Sequence, residues 1–168
     1  QHAVTIADQA MDEVAPTIEQ GMTEKLIASH LEMAMRKRGA ENVSFDTIVG
    51  AGPNGALPHH RADDTVIERN QAIVIDMGCI YEGYCSDLTR TFIGGSPDDK
   101  FKRVYGKVLE AQLAAEERIE TGMTGQDVDA IARDIIKASG HGDDFGHSLG
   151  HGVGLAVHEF PHVGPRAE

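Results

Sequence analysis

The feature that most constrains this chain is an internal repeat. TIEQGMTEK, from Thr17 to Lys25, is echoed by RIETGMTGQ, from Arg118 to Gln126, sharing I-E-x-G-M-T at an offset of 101 residues. The same offset relates Thr23 to Thr124, each placed to cap a helix, and Gly39 to Gly140, each placed to end one. Between the caps, Ile27, Leu31 and Ala34 match Val128, Ala132 and Ile135 along one helical stripe. Chance likeness between two amphipathic helices is the competing explanation; a register held across both caps favours duplication.

Each repeat has an earlier helix as well. Val4 to Val14 forms a weak amphipathic stretch ended by Pro16, and Phe101, Val104, Tyr105, Val108 and Ala115 line a stronger one after Pro97 and Asp98. A Phe-led, glycine-rich segment follows the second helix of each half, SFDTIVGAGPNG and DFGHSLGHGVGL. In the first half it leads to QAIVIDMGCIYEGYCSDLTRTFIGG, two β-rich runs joined by a turn near Tyr81 to Gly83. A counterpart hairpin is expected beyond Glu168. The chain therefore reads as a duplicated α+β domain lacking its start and its last hairpin, with a first half of about 1–96 and an incomplete second half of about 97–168.

Charge and composition narrow the partners. With 15 basic and 27 acidic residues the net charge is −12, which repels a phosphate backbone and argues against nucleic acid. No apolar run is long enough for a membrane span and no charged-then-apolar leader is seen, so a cytoplasmic protein without membrane contact is expected. Cys79 and Cys85 are too few for a disulfide framework and suit half-buried strand positions.

Two literal motifs fail on mechanism. GAGPNG, Gly50 to Gly55, fits a dinucleotide fingerprint, yet Pro53, Pro58 and the polar HHRADD that follows forbid the helix a pyrophosphate needs. HEFPH, His158 to His162, fits the zinc-protease string, but two histidines four apart share an ion only on a helix, and Pro161 lacks the N–H a helix requires. On an extended strand the two would stand roughly 13 Å apart.

A more promising set lies in the hairpin. A turn centred on Tyr81 and Glu82 would make Asp76 and Asp87 direct cross-strand partners, and like charges so placed are unfavourable unless a cation neutralises them. Two solvated strand-end aspartates are the plainer alternative. Seven histidines (59, 60, 141, 147, 151, 158 and 162) gather in glycine-rich loops and strand ends, with His151, between Gly150 and Gly152, the least hindered as a ligand.

GAGPNGALPHH, VIDMGCIYEGYCSDLTRTF and GHSLGHGVGLAVHEFP, in this order and spacing, resemble the pita-bread metallopeptidases, specifically the X-Pro aminopeptidase and prolidase branch. The resemblance covers essentially the whole chain and implies a duplicated pita-bread fold. It implies that Asp76 binds one divalent ion, that Asp87 bridges two, and that His151 is the histidine ligand. His59, His147 and His158 match non-ligand histidines that hold substrate or stabilise the tetrahedral intermediate. Two glutamate ligands lie on carboxy-terminal strands in that family; Glu159 and Glu168 do not stand in the matching motifs.

The activity so implied is hydrolysis of X-Pro peptide bonds, on a proline-containing peptide, with two manganese, cobalt or zinc ions in the intact enzyme, as a homodimer. The 168 residues alone are expected to hold metal weakly or not at all and to be inactive. A non-catalytic peptide- or protein-binding module on the same fold is the alternative.

Overall fold

The computed structural model describes residues 1–167, which fall into two compact units. The first holds Gln1–Pro97 and takes back Val153–Val157; the second holds Asp98–Gly152 and the residues from His158 onward.

In the first unit, helix α1 (His2–Val14) runs into a 3-10 turn at Ala15–Thr17, where Pro16 has no N–H to continue it. Helix α2 (Glu24–Lys37) starts at Thr23, whose hydroxyl accepts the Leu26 N–H at 3.2 Å. It ends ahead of Gly39, at φ 97°, a left-handed conformation that glycine adopts without strain. Short strands follow: β1 (Asn42–Val43), β2 (Ile48–Ala51), β3 (Ala72–Met77), β4 (Cys79–Tyr81), β5 (Tyr84–Cys85) and β6 (Leu88–Ile93). They form two three-stranded antiparallel sheets, β1-β4-β5 and β2-β3-β6.

Period decides which side chains enter the core. On β3, Ile73, Ile75 and Met77 alternate inward and are all but fully buried. Against them pack Ile6, Ala10 and Met11 of α1 and Ile27, Leu31 and Met35 of α2, on their helical stripes. Cys79 lies in the same core, its thiol pushed up in pKa by burial, and Cys85 is half-buried.

In the second unit, Asp98 caps helix α3 (Asp99–Arg118) by accepting the Phe101 N–H at 2.6 Å. Helix α4 (Gly125–Ala138) begins with a capping box between Thr124 and Asp127, whose carboxyl those hydrogen bonds hold below its usual pKa. Gly140, at φ 87°, follows it as Gly39 follows α2, and Gly21 and Gly122, at φ 95° and 97°, precede the two caps, so every punctuation mark of the repeat recurs 101 residues on. A two-stranded antiparallel sheet, β7 (Gly150–Gly152) with β8 (Glu159–Val163), completes the unit.

The stripe read on α3 is only partly a core face. Ala111 and Ala115 are buried against Ile131, Ala132 and Ile136 of α4, whereas Tyr105 and Val108 are exposed. Small residues set that contact, and the larger apolar ones lie off it.

Two glycines of the hairpin give a test. A methyl at Gly78 would run into the Ser86 carbonyl and the Ser44 hydroxyl, while one at Gly83 meets nothing but must adopt φ 78°. Gly78→Ala should lower stability by about 3 kcal/mol through overpacking, and Gly83→Ala by about 1 kcal/mol through backbone strain, in urea unfolding. Equal losses would contradict this account.

Candidate metal and peptide site

Asp76 stands on β3, the middle strand of its sheet, opposite Ile48 on one side and Thr89 on the other. This corrects the expected register. The turn is centred on Glu82 and Gly83, at φ 49° and 78°, one residue later than expected. Asp76 therefore faces Thr89, whose hydroxyl donates to Asp76 Oδ1 at 2.8 Å, and not Asp87. Asp87 lies just before β6, next to Leu88, the residue that pairs with Met77, and so is not the cross-strand partner of Asp76. The direct pair expected of these two carboxylates is therefore not formed.

His59 is exposed, on the loop that follows a 3-10 turn at Gly52–Ala56. GAGPNG leads into that 3-10 turn and a loop and not into an α-helix, as its prolines predict. The loop is held from beneath by Glu24, in the first turn of α2 and 0 % exposed. Its Oε1 accepts the Ala51 N–H at 2.7 Å and an Asn54 Nδ2–H at 3.0 Å. Its Oε2 accepts from His60 Nε2 at 2.6 Å and the Asp63 N–H at 3.3 Å. Asp63 itself accepts the Thr65 N–H, and these Thr65 hydrogen bonds hold its carboxyl below the usual range.

Among the described residues Glu24, His60 and Asp63 are the one group whose ligand atoms lie close enough to hold an ion. The donors around Glu24 argue against that use. N–H groups converge on both of its oxygens, and a cation would have to displace donors that point straight at it.

In the second unit, His151 lies on β7, paired with His162 of β8. Its Nδ1 is 3.0 Å from the Gly152 carbonyl, which can only accept, so Nδ1 is the donor there. The His158 ring lies beside it, centroids 4.1 Å apart. HEFPH is thus extended, from the residue before β8 into that strand, and its histidines share no helical face. His147 is exposed, Nδ1 2.8 Å from the Ser148 carbonyl and its ring edge-on to Phe145.

The segment bearing His147 is pinned by a second buried carboxylate. Asp129, 1 % exposed, pairs with both ends of the Arg133 guanidinium and accepts the Leu149 N–H at 3.0 Å. Arg133 donates onward to the carbonyls of Phe145 at 2.8 Å and His147 at 2.7 Å, and lies over the Phe145 ring. The Asp129 hydrogen bonds raise its pKa further, keeping it charged.

Metallopeptidase family M24 matches residues 1–168, the whole chain. The chain belongs to that family. Its M24 relatives include an Xaa-Pro dipeptidase of Pyrococcus furiosus, 47 % identical over 163 residues that make up 97 % of this chain and 47 % of that protein. Among solved structures, prolidase from Pyrococcus furiosus superposes with a TM-score of 0.97 at 47 % identity, covering 99 % of this chain and 50 % of that one. An X-Pro aminopeptidase from Thermotoga maritima gives 0.94 at 50 % identity, over 98 % and 47 %. The fold is the pita-bread α+β fold of these M24 structures, and the chain spans about half the length of the relatives it matches.

Membership of M24 brings divalent metal chemistry, and the residues here suit it. Carboxylate oxygens and imidazole nitrogens are donors that divalent ions take, and the Thr89 hydroxyl on Asp76 and the Gly152 carbonyl on His151 Nδ1 are hydrogen bonds of the kind that orient such side chains. Sequence reasoning missed Glu24, Asp129 and Arg133. A glutamate in a helix's first turn reads as a dipole partner, and an aspartate four residues before an arginine as a surface pair; neither pattern signals burial.

Arg133→Leu should leave Asp129 buried without its cation. A loss of roughly 3 kcal/mol is expected, with faster amide exchange at Leu149. A change below about 1 kcal/mol, the range of an exposed pair, would show that Asp129 is not clamped as described.

Proposed function

We propose that the protein of which this chain forms part is an X-Pro metallopeptidase that removes or frees residues ahead of proline. The observation that carries this is the whole-chain match to M24, with Asp76 on β3 and Asp87 just before its neighbouring strand β6 as its supports. Names of the relatives, Xaa-Pro dipeptidase and prolidase, support the substrate class.

Asp76, Asp87 and His151 would supply ligands to two divalent ions. When bound, such ions lower the pKa of a shared water and polarise the scissile carbonyl. Thr89 keeps the Asp76 carboxylate turned by donating to Oδ1, and the Gly152 carbonyl keeps the His151 proton on Nδ1. His158, beside His151, can donate a hydrogen bond to the oxygen that gains charge during attack, with His59 and His147 as further substrate-holding donors. Proline specificity would come from a pocket that accepts a tertiary amide, which has no N–H to satisfy. Two further glutamate ligands are implied by the family likeness at positions outside these 168 residues, so activity is proposed for the full-length, homodimeric protein and not for this chain alone.

The test is release of an amino-terminal residue from X-Pro peptides, beside X-Ala controls, by the full-length protein loaded with manganese. Asp87→Asn should abolish turnover. His158→Ala should lower kcat about a hundredfold while leaving metal content unchanged. If the loaded protein cleaves no X-Pro bond, a peptide-binding role on the same fold replaces this reading.

A further inference from the structure

Glu24 is a buried carboxylate that the proposed chemistry does not use. Burying such a group is unfavourable unless its oxygens are saturated with donors, and here four converge on it, from Ala51, Asn54, His60 and Asp63. All four lie in one segment, and His59 sits within it, next to His60 in the chain. The ring of His60 is turned inward onto Glu24, its side chain 9 % exposed; its neighbour His59 is exposed.

The second unit repeats the device with different residues. Gly125 stands where the repeat would put the counterpart of Glu24, but any side chain there would strike the His162 carbonyl. The carboxylate comes instead from Asp129, four residues on and so on the same helical face, and it pins the segment carrying His147. Two unlike solutions to one task point to the task itself, which is holding a histidine-bearing loop.

We propose that Glu24 is a positioning residue: through Ala51, Asn54, His60 and Asp63 its carboxylate fixes the 51–63 segment and thereby sets where the His59 imidazole stands. The inference rests on the reading of His59 as a substrate-holding group. His60 is the linking donor, since its Nε2 must carry the proton to face a carboxylate.

Glu24→Gln keeps the shape and leaves an oxygen for Ala51 and Asn54, but turns an NH2 toward the donors of His60 and Asp63. His60→Leu removes one donor, and His60→Gln restores one. In the full-length, manganese-loaded protein, Glu24→Gln and His60→Leu should each lower kcat for an X-Pro peptide about tenfold, with KM changed less than about threefold, and His60→Gln should recover most of the loss. Metal content should stay unchanged. In a His59→Ala background the same substitutions should cost less than about twofold, because their effect passes through His59. In this chain, 15N-histidine NMR should show the His59 ring signals displaced by Glu24→Gln and close to native in His60→Gln.

Losses that multiply in the double variants would reduce Glu24 to a general stabiliser and overturn the proposal, as would unmoved His59 signals. Should Glu24→Gln fail to fold, the His60 pair decides by the same criteria. If the His59 signals move as expected but the unsubstituted holoenzyme cleaves no X-Pro bond, the positioning stands and the peptidase reading falls.

Discussion

A carboxylate withdrawn from water must be met by donors on every side, and in each unit that requirement organises the segment that carries histidines. Glu24 gathers Ala51, Asn54, His60 and Asp63; Asp129 gathers Leu149 directly and, through Arg133, the carbonyls of Phe145 and His147. Both segments are rich in glycine and short of apolar side chains, so hydrophobic burial alone gives them little to hold them in place. Directional hydrogen bonds to a charge supply what packing does not, since they fix orientation as well as distance. The helices are the rigid ground for this. Each is anchored by a capped threonine at one end and a left-handed glycine past the other, and its apolar stripe is buried.

Those anchors are also why the duplication could be read from the chain. Caps and terminating glycines are local features, set by the backbone within a few residues, and they survive divergence of the side chains between them. Thr23, Gly39 and their partners 101 residues later lie where the repeat places them. The hairpin was harder. Its existence followed from the β-branched runs, but its register turned on which two residues occupy the positive-φ corner, and taking Tyr81 and Glu82 in place of Glu82 and Gly83 moves every pair. Asp87 lost Asp76 as a direct partner through that single step and stands just outside β6.

Burial is the quantity least visible in the sequence. The α3 stripe from Phe101 to Ala115 has the spacing of a core face, yet the contact with α4 is made by Ala111 and Ala115, and Val108 and Tyr105 are exposed. On α1 the comparable stripe is buried, because a sheet and a second helix lie against it within its own unit. Periodicity shows which residues could be covered together; the elements available to cover them decide how many are. The same gap hid Glu24, whose position in a first turn is ordinary and whose depth is not.

HEFPH and GAGPNG show the converse, strings whose letters match a known chemistry while their backbone does not. Pro161 and the surrounding glycines make the first a strand, so its histidines serve through what lies beside each of them, His151 against the His158 ring and across from His162. In the second, the glycine at position 50 has the Asn54 backbone packed against it, in a segment folded into a 3-10 turn, and the Ala51 N–H before that turn and the Asn54 side-chain amide within it both donate to Glu24. What a glycine or histidine can do is set by where its backbone leaves the N–H and the ring. For His151 that is an Nδ1–H donated to the Gly152 carbonyl, a hydrogen bond of the kind that orients an imidazole ligand.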